Sequence, residues 1–90
     1  MVTFAEITVK GRVQGVGYRF FVVQKAMELK VKGYVKNIPN GNVFLVAQGT
    51  KTEIETLADY LKIGPTRSRI DSVIVSYLNS HSPFQSFTVK

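Results

Sequence analysis

Gly11-Arg12-Val13-Gln14-Gly15-Val16-Gly17-Tyr18-Arg19 is the stretch on which the fold turns. Before it, Ala5 to Lys10 alternates like a strand, and after it Phe20-Phe21-Val22-Val23 opens a helix-like run. Glycine accepts positive φ and lets other groups approach closely. A glycine-rich strand-to-helix segment therefore turns its amides towards the helix N-terminus, where they and the helix dipole form a cradle for an anion, most often phosphate. Arg19 falls in the first helical turn, where the dipole disfavours a cation by about 0.3–1 kcal/mol. A bound anion reverses that sign, because amides, dipole and guanidinium then face one negative charge. The residues alone leave two readings open: an anion site, or a tight turn beside a solvated arginine. Two well-known phosphate loops are excluded. No Gly-Lys-Ser/Thr follows, so the stretch is not a Walker A loop, and Phe20 stands where the dinucleotide fingerprint needs its third glycine.

Outward from this stretch, the first strand is expected over Phe4–Lys10, with Ala5, Ile7 and Val9 on one face and Glu6, Thr8 and Lys10 on the other. The first helix is expected over Tyr18–Leu29. Phe20, Val22, Val23, Ala26, Met27 and Leu29 fall in one broad apolar arc, expected to be core, with Phe21 outside it. Val31–Asn37 reads as the second strand. Pro39-Asn40-Gly41 follows as a hairpin turn, and the third strand spans Asn42–Gln48. Val43 to Ala47 is apolar without a break, which marks the third strand as central. Thr50 and Glu53 form a capping box for a second helix that buries Ile54, Leu57, Ala58 and Leu61 and stops at Gly64-Pro65. Arg69–Leu78 is the fourth strand, Asn79–Pro83 a loop, and Phe84–Lys90 a short last strand.

The order β-α-β-β-α-β plus a strand is the split β-α-β pattern of an α+β, two-layer ferredoxin-like sandwich. Its two helices lie on one face of an antiparallel sheet. The 90 residues make one domain, and no linker, repeat or low-complexity segment divides them. In this topology the third strand lies between the first two. The ends of the first and second strands then share one sheet edge, about 10 Å apart. The loop amides, Arg19 and Asn37 meet there. Asn37 offers both a donor and an acceptor. It is read equally well as the residue that orients a water and as the residue that opens the hairpin.

The net charge is +6, from 12 basic and 6 acidic side chains, which favours anionic partners. The lysines are scattered singly, so no basic tail is present. With no cysteine there is no disulfide, no thiolate metal site and no cysteinyl-phosphate route. The single histidine, His81, sits in a serine-containing loop and has no metal-ligand companions. No signal peptide, membrane span or lipidation motif is visible, and the expected setting is cytoplasmic.

At the two conspicuous motifs the chain resembles the acylphosphatase family. Gly11 to Arg19 is similar to that family's phosphate loop with its terminal arginine. Gly33-Tyr34-Val35-Lys36-Asn37 is similar to its second motif, ending in asparagine, with Tyr34 and Lys36 where tryptophan and arginine are more usual. Pro39-Asn40-Gly41 before Val43, and Gly64-Pro65 before Arg69-Ile70-Asp71, match further, so the resemblance covers essentially the whole chain. It implies hydrolysis of a carboxyl–phosphate anhydride to carboxylate and inorganic phosphate, without metal or other cofactor. The implied site has phosphate on the Gln14, Gly15, Val16, Gly17, Tyr18 and Arg19 amides and on the Arg19 guanidinium, with water held by Asn37. The expected partners are a small acyl phosphate and phosphate, and the expected state is a monomer with no membrane attachment. Ferredoxin-like sheets also bind RNA, but Lys32-Gly33-Tyr34-Val35-Lys36-Asn37 departs from the RNA-recognition signature after its third residue. Nucleic acid is therefore not expected as a ligand. A regulatory module within a larger protein is the third reading.

Overall fold

The computed structural model describes residues 1–90. Its elements are β1 (Thr3–Arg12), α1 (Tyr18–Glu28), β2 (Lys32–Asn37), β3 (Val43–Gly49), α2 (Lys51–Ile63), β4 (Arg69–Leu78) and β5 (Phe87–Val89). The strands form one sheet in the order β4-β1-β3-β2-β5. The apolar β3 is therefore the central strand, antiparallel to β1 on one side (Ile7 opposite Leu45) and to β2 on the other (Val35 opposite Leu45). Period-two alternation then sorts the side chains between two faces. Ala5, Ile7, Val9, Val35, Val43, Leu45 and Ala47 join Tyr18, Val22, Ala26, Ile54, Leu57 and Leu61 in one buried cluster between sheet and helices. No helix is long and apolar enough to cross a membrane.

Helix α2 follows its sequence signals closely. The Glu53 amide donates to Thr50 Oγ1 at 3.1 Å and the Thr50 amide to Glu53 Oε1 at 2.8 Å, and the four expected residues are the buried ones. Helix α1 differs. Its buried residues are Tyr18, Val22 and Ala26, four apart, while Phe21 and Leu29 pack partly against the core from the flanks. Phe20 and Met27 are exposed, contrary to expectation. At about 100° per residue they lie nearly opposite the buried stripe. The apolar arc spans half the helix circumference, and buried Tyr18 fixes which half faces inward.

Two boundaries shift by more than one residue. Gly11 and Arg12 belong to β1 rather than to the loop. They pair with Ile70 and Arg69 after a register shift at Lys10/Gly11, and a Cβ on Gly11 would collide with the Arg69 carbonyl oxygen. β5 begins at Phe87 rather than Phe84 and runs parallel to β2, so the sheet is mixed rather than wholly antiparallel. The reason lies in the connection. β4 and β5 occupy opposite edges, so residues 79–86 must traverse the sheet. They cross on the face away from the helices, where His81 stacks on Phe84 (4.9 Å between centroids) and lies 5.8 Å from Phe4. Phe84 in turn lies 5.9 Å from Tyr34, and its amide is held by Gln48 Oε1. The exposed His81 is thus a stacking residue of this strap.

Candidate functional site

The loop between β1 and α1 has the geometry that its glycines suggest. Gly15 (φ 74°) and Gly17 (φ 77°) both take the left-handed conformation, with nothing within 4 Å of a Cβ at either position. The constraint there is therefore backbone conformation rather than crowding. Gly17 is the N-cap of α1, and its carbonyl accepts from the Phe21 amide at 3.1 Å. A glycine cap has no side chain to satisfy the first-turn amides, and no acidic residue sits in that turn. The amides of Gln14, Gly15, Val16 and Gly17 likewise donate to no backbone carbonyl. A run of free donors thus gathers at the positive end of a helix.

Arg19 adds a full positive charge. It is exposed and takes part in none of the ion pairs of the chain, which are Lys25–Glu28, Lys62–Asp59 and Arg69–Asp71. A cavity of about 200 Å³ opens here, lined by Val13, Gly15, Gly17, Tyr18, Arg19, Phe20 and Asn37. Asn37 arrives from the C-terminal end of β2, on the helix-side face, two residues after buried Val35. Its Oδ1 is buried and has no hydrogen-bond partner. That is a costly state for an amide oxygen unless something in the cavity donates to it. No side chain lining the cavity is a carboxylate or an imidazole, and no three of the chain's His, Asp and Glu side chains cluster in a way that could hold a metal ion.

Of the residues expected at the site, Gly15, Gly17, Tyr18, Arg19 and Asn37 come together around the cavity. Gln14 and Val16 do not line it. Val16 packs against the core. The side chain of Gln14 reaches away to the β2–β3 turn, where Nε2 donates to the Ile38 and Asn42 carbonyls, each at 2.8 Å. It ties the glycine loop to the hairpin that carries Asn37. Tyr18 also looks two ways. It lines the cavity, but its ring is buried and its hydroxyl donates to the Leu61 carbonyl at 2.8 Å. Burial pushes that hydroxyl well above the ordinary tyrosine value, so it is not a proton acceptor at neutral pH. Two lining residues lie outside the set expected at the site: buried Val13, and Phe20, which the apolar pattern places in the core. The signal for Phe20 was its place directly after Arg19, at the mouth of a loop that faces outward.

Comparison with known proteins gives a consistent result. The family model described as Acylphosphatase matches residues 5–89. A curated acylphosphatase from Methanococcoides burtonii is 42% identical over 89 residues, covering 99% of this chain and 93% of the relative. One from Thermus thermophilus is 49% identical over 69 residues, 77% of this chain and 78% of the relative. The crystal structure of acylphosphatase from Bacillus subtilis superposes with a TM-score of 0.94 at 32% identity, covering 100% of this chain and 99% of that one.

Proposed function

The chain belongs to the acylphosphatase family, and on that premise we propose that the cavity between the glycine loop and Asn37 hydrolyses small acyl phosphates by direct attack of water on phosphorus. The phosphoryl oxygens lie on the amides from Gln14 to Arg19 and on the Arg19 guanidinium. Phosphoryl transfer asks mainly for positioning and for stabilisation of charge on the equatorial oxygens, and these donors are fixed before the ligand arrives. Asn37 Oδ1 accepts a hydrogen from the attacking water, which leaves an oxygen lone pair free to point at phosphorus. Water adds, the P–O bond to the acyl group breaks, and that bonding pair leaves with the carboxylate. A phosphoryl oxygen of the substrate takes the water's proton, since the cavity lining holds no carboxylate or imidazole to do so.

The observation that carries this reading is the buried, unpartnered Asn37 Oδ1 on the same cavity as the free helix N-terminus and the unpaired Arg19. Nucleic-acid binding has weaker support. The sheet face it would use is crossed by residues 79–86, and its aromatic side chains stack on one another, with Lys90 Nζ 4.1 Å above the Tyr34 ring.

The test is hydrolysis of benzoyl phosphate by wild type, Asn37→Ala and Arg19→Ala, with EDTA present, alongside calorimetric binding of orthophosphate. Wild-type turnover is expected to survive EDTA. Loss of one preorganised polar group costs about 10²–10³ in rate, so Asn37→Ala should lose at least that in kcat while still binding orthophosphate. Arg19→Ala should lose both turnover and binding. A wild-type kcat in Asn37→Ala would remove Asn37 from the mechanism, and orthophosphate bound away from the loop would remove the cradle.

A further inference from the structure

Phe20 is the first residue after Arg19, and 73% of its surface is exposed although it lines the cavity. It shares in none of the aromatic pairs of the chain, which link Tyr18 with Phe21 and connect the rings of the opposite sheet face. No lysine covers it either, although Phe21, Tyr60, Phe44 and Tyr34 each have one. The fold makes no use of this ring: α1 buries the opposite side, through Tyr18, Val22 and Ala26. A lone exposed apolar side chain is ordinary, but this one stands on the rim of the pocket, where a role outside the core is open to it.

The size of the cavity supplies one. A water occupies about 30 Å³ of liquid, so a cavity of about 200 Å³ holds roughly seven waters' worth of matter. A phosphoryl group, the attacking water and the start of an acyl group fill it. With phosphorus on the loop amides and Arg19, the rest of the acyl group must leave through the mouth, past the next side chain along. Resting on the acylphosphatase reading above, we propose that Phe20 selects the substrate: its exposed ring receives the acyl group, and the chain thereby favours acyl phosphates with an aromatic or extended apolar acyl group over those with a small one. The ring is carried on the first turn of a helix whose opposite side is locked into the core, so its backbone is held at the rim while the ring itself stays free to meet a ligand. Aromatic contact geometry and burial of apolar area both favour a flat acyl group there.

The experiment compares wild type, Phe20→Ala and Phe20→Tyr on benzoyl phosphate and acetyl phosphate. It also compares their binding of phenylphosphonate and orthophosphate by calorimetry. One aromatic contact corresponds to about a 2- to 12-fold change in an equilibrium constant. The ratio of kcat/KM for benzoyl over acetyl phosphate should therefore fall by about that factor in Phe20→Ala, through KM rather than kcat, and return in Phe20→Tyr. The preference for phenylphosphonate over orthophosphate should fall in parallel. An unaltered ratio and an unaltered preference in Phe20→Ala overturn the proposal. If wild type hydrolyses neither substrate, the acylphosphatase reading fails by itself, and the phosphonate preference still decides the role of Phe20.

Discussion

At the scale of single residues, Tyr18 shows how one side chain joins the site to the rest of the core. The Leu61 carbonyl would normally accept from the amide four residues on, but that residue is Pro65, which has none. The Tyr18 hydroxyl supplies the missing donor at 2.8 Å in a buried setting. Phe in place of Tyr keeps the ring and strands a buried carbonyl, at about 1–3 kcal/mol. Each kcal/mol lowers Tm by roughly 4–8 °C in a domain of this size, so Tyr18→Phe should melt several degrees lower in calorimetry. The same burial has a pH consequence. The folded value of this hydroxyl lies above the unfolded value of 10.0. Below that value both states keep the proton and the group adds no pH dependence. Above it the unfolded chain releases the proton first, and stability falls by up to about 1.4 kcal/mol per pH unit. Denaturant titrations between neutral pH and pH 11 should show a steeper alkaline loss in wild type than in Tyr18→Phe.

At the scale of elements, the clamp from the glycine loop to the β2–β3 hairpin relates the two halves of the site. Gln14 Nε2 holds the Ile38 and Asn42 carbonyls, and Ile38 follows Asn37 directly. Without it, the loop of the proposed phosphate cradle and the strand end that carries Asn37 are positioned by separate elements. Gln14→Ala is expected to lower kcat by about tenfold or more while orthophosphate binding changes little, because the loop amides remain. Gln14→Glu sets a carboxylate against two carbonyl oxygens and should be worse than alanine at neutral pH, recovering in part as the pH falls and the carboxyl gains a proton to donate. Equal kcat for all three proteins would show that β2 holds Asn37 unaided. The clamp also marks where sequence reasoning stops. The loop, Arg19 and Asn37 were legible because glycine conformation, helix polarity and strand order are local or topological matters. The role of the Gln14 side chain was not, since its partners are main-chain carbonyls 24 and 28 residues away and leave no pattern in residue types. Helix α1 failed in a related way. An apolar set covering half a helix does not say which edge faces the sheet, and the decision fell to Tyr18 through its contact with α2. Helix α2, with four apolar residues at ideal spacing and a reciprocal cap, left no such freedom.

At the scale of the whole molecule, cavity-lining residues all fall between Val13 and Asn37, from the β1–α1 loop to the end of β2, while β1, α2, β3, β4 and β5 support them. The two sheet edges are unequal. β4 pairs with β1 along most of its length, whereas β5 holds β2 through three residue pairs, flanked by bonds from the Gly33 amide to Ser86 and from the Lys90 amide to Val35. The strap that leads to β5 was unreadable in the sequence because its serines and asparagine look like any surface loop, and only the opposite placement of β4 and β5 forces it across the sheet. A strand of three residues, anchored in the core by Phe87 alone, is the part of the sheet with least to lose by letting go. Amide hydrogen exchange should therefore find Phe87–Val89 opening well before β1 and β3, in a sub-global event that leaves the glycine loop, Arg19 and Asn37 in place. Loss of the native edge and loss of activity then become two separate events along an unfolding gradient, with turnover persisting in molecules whose last strand has already detached.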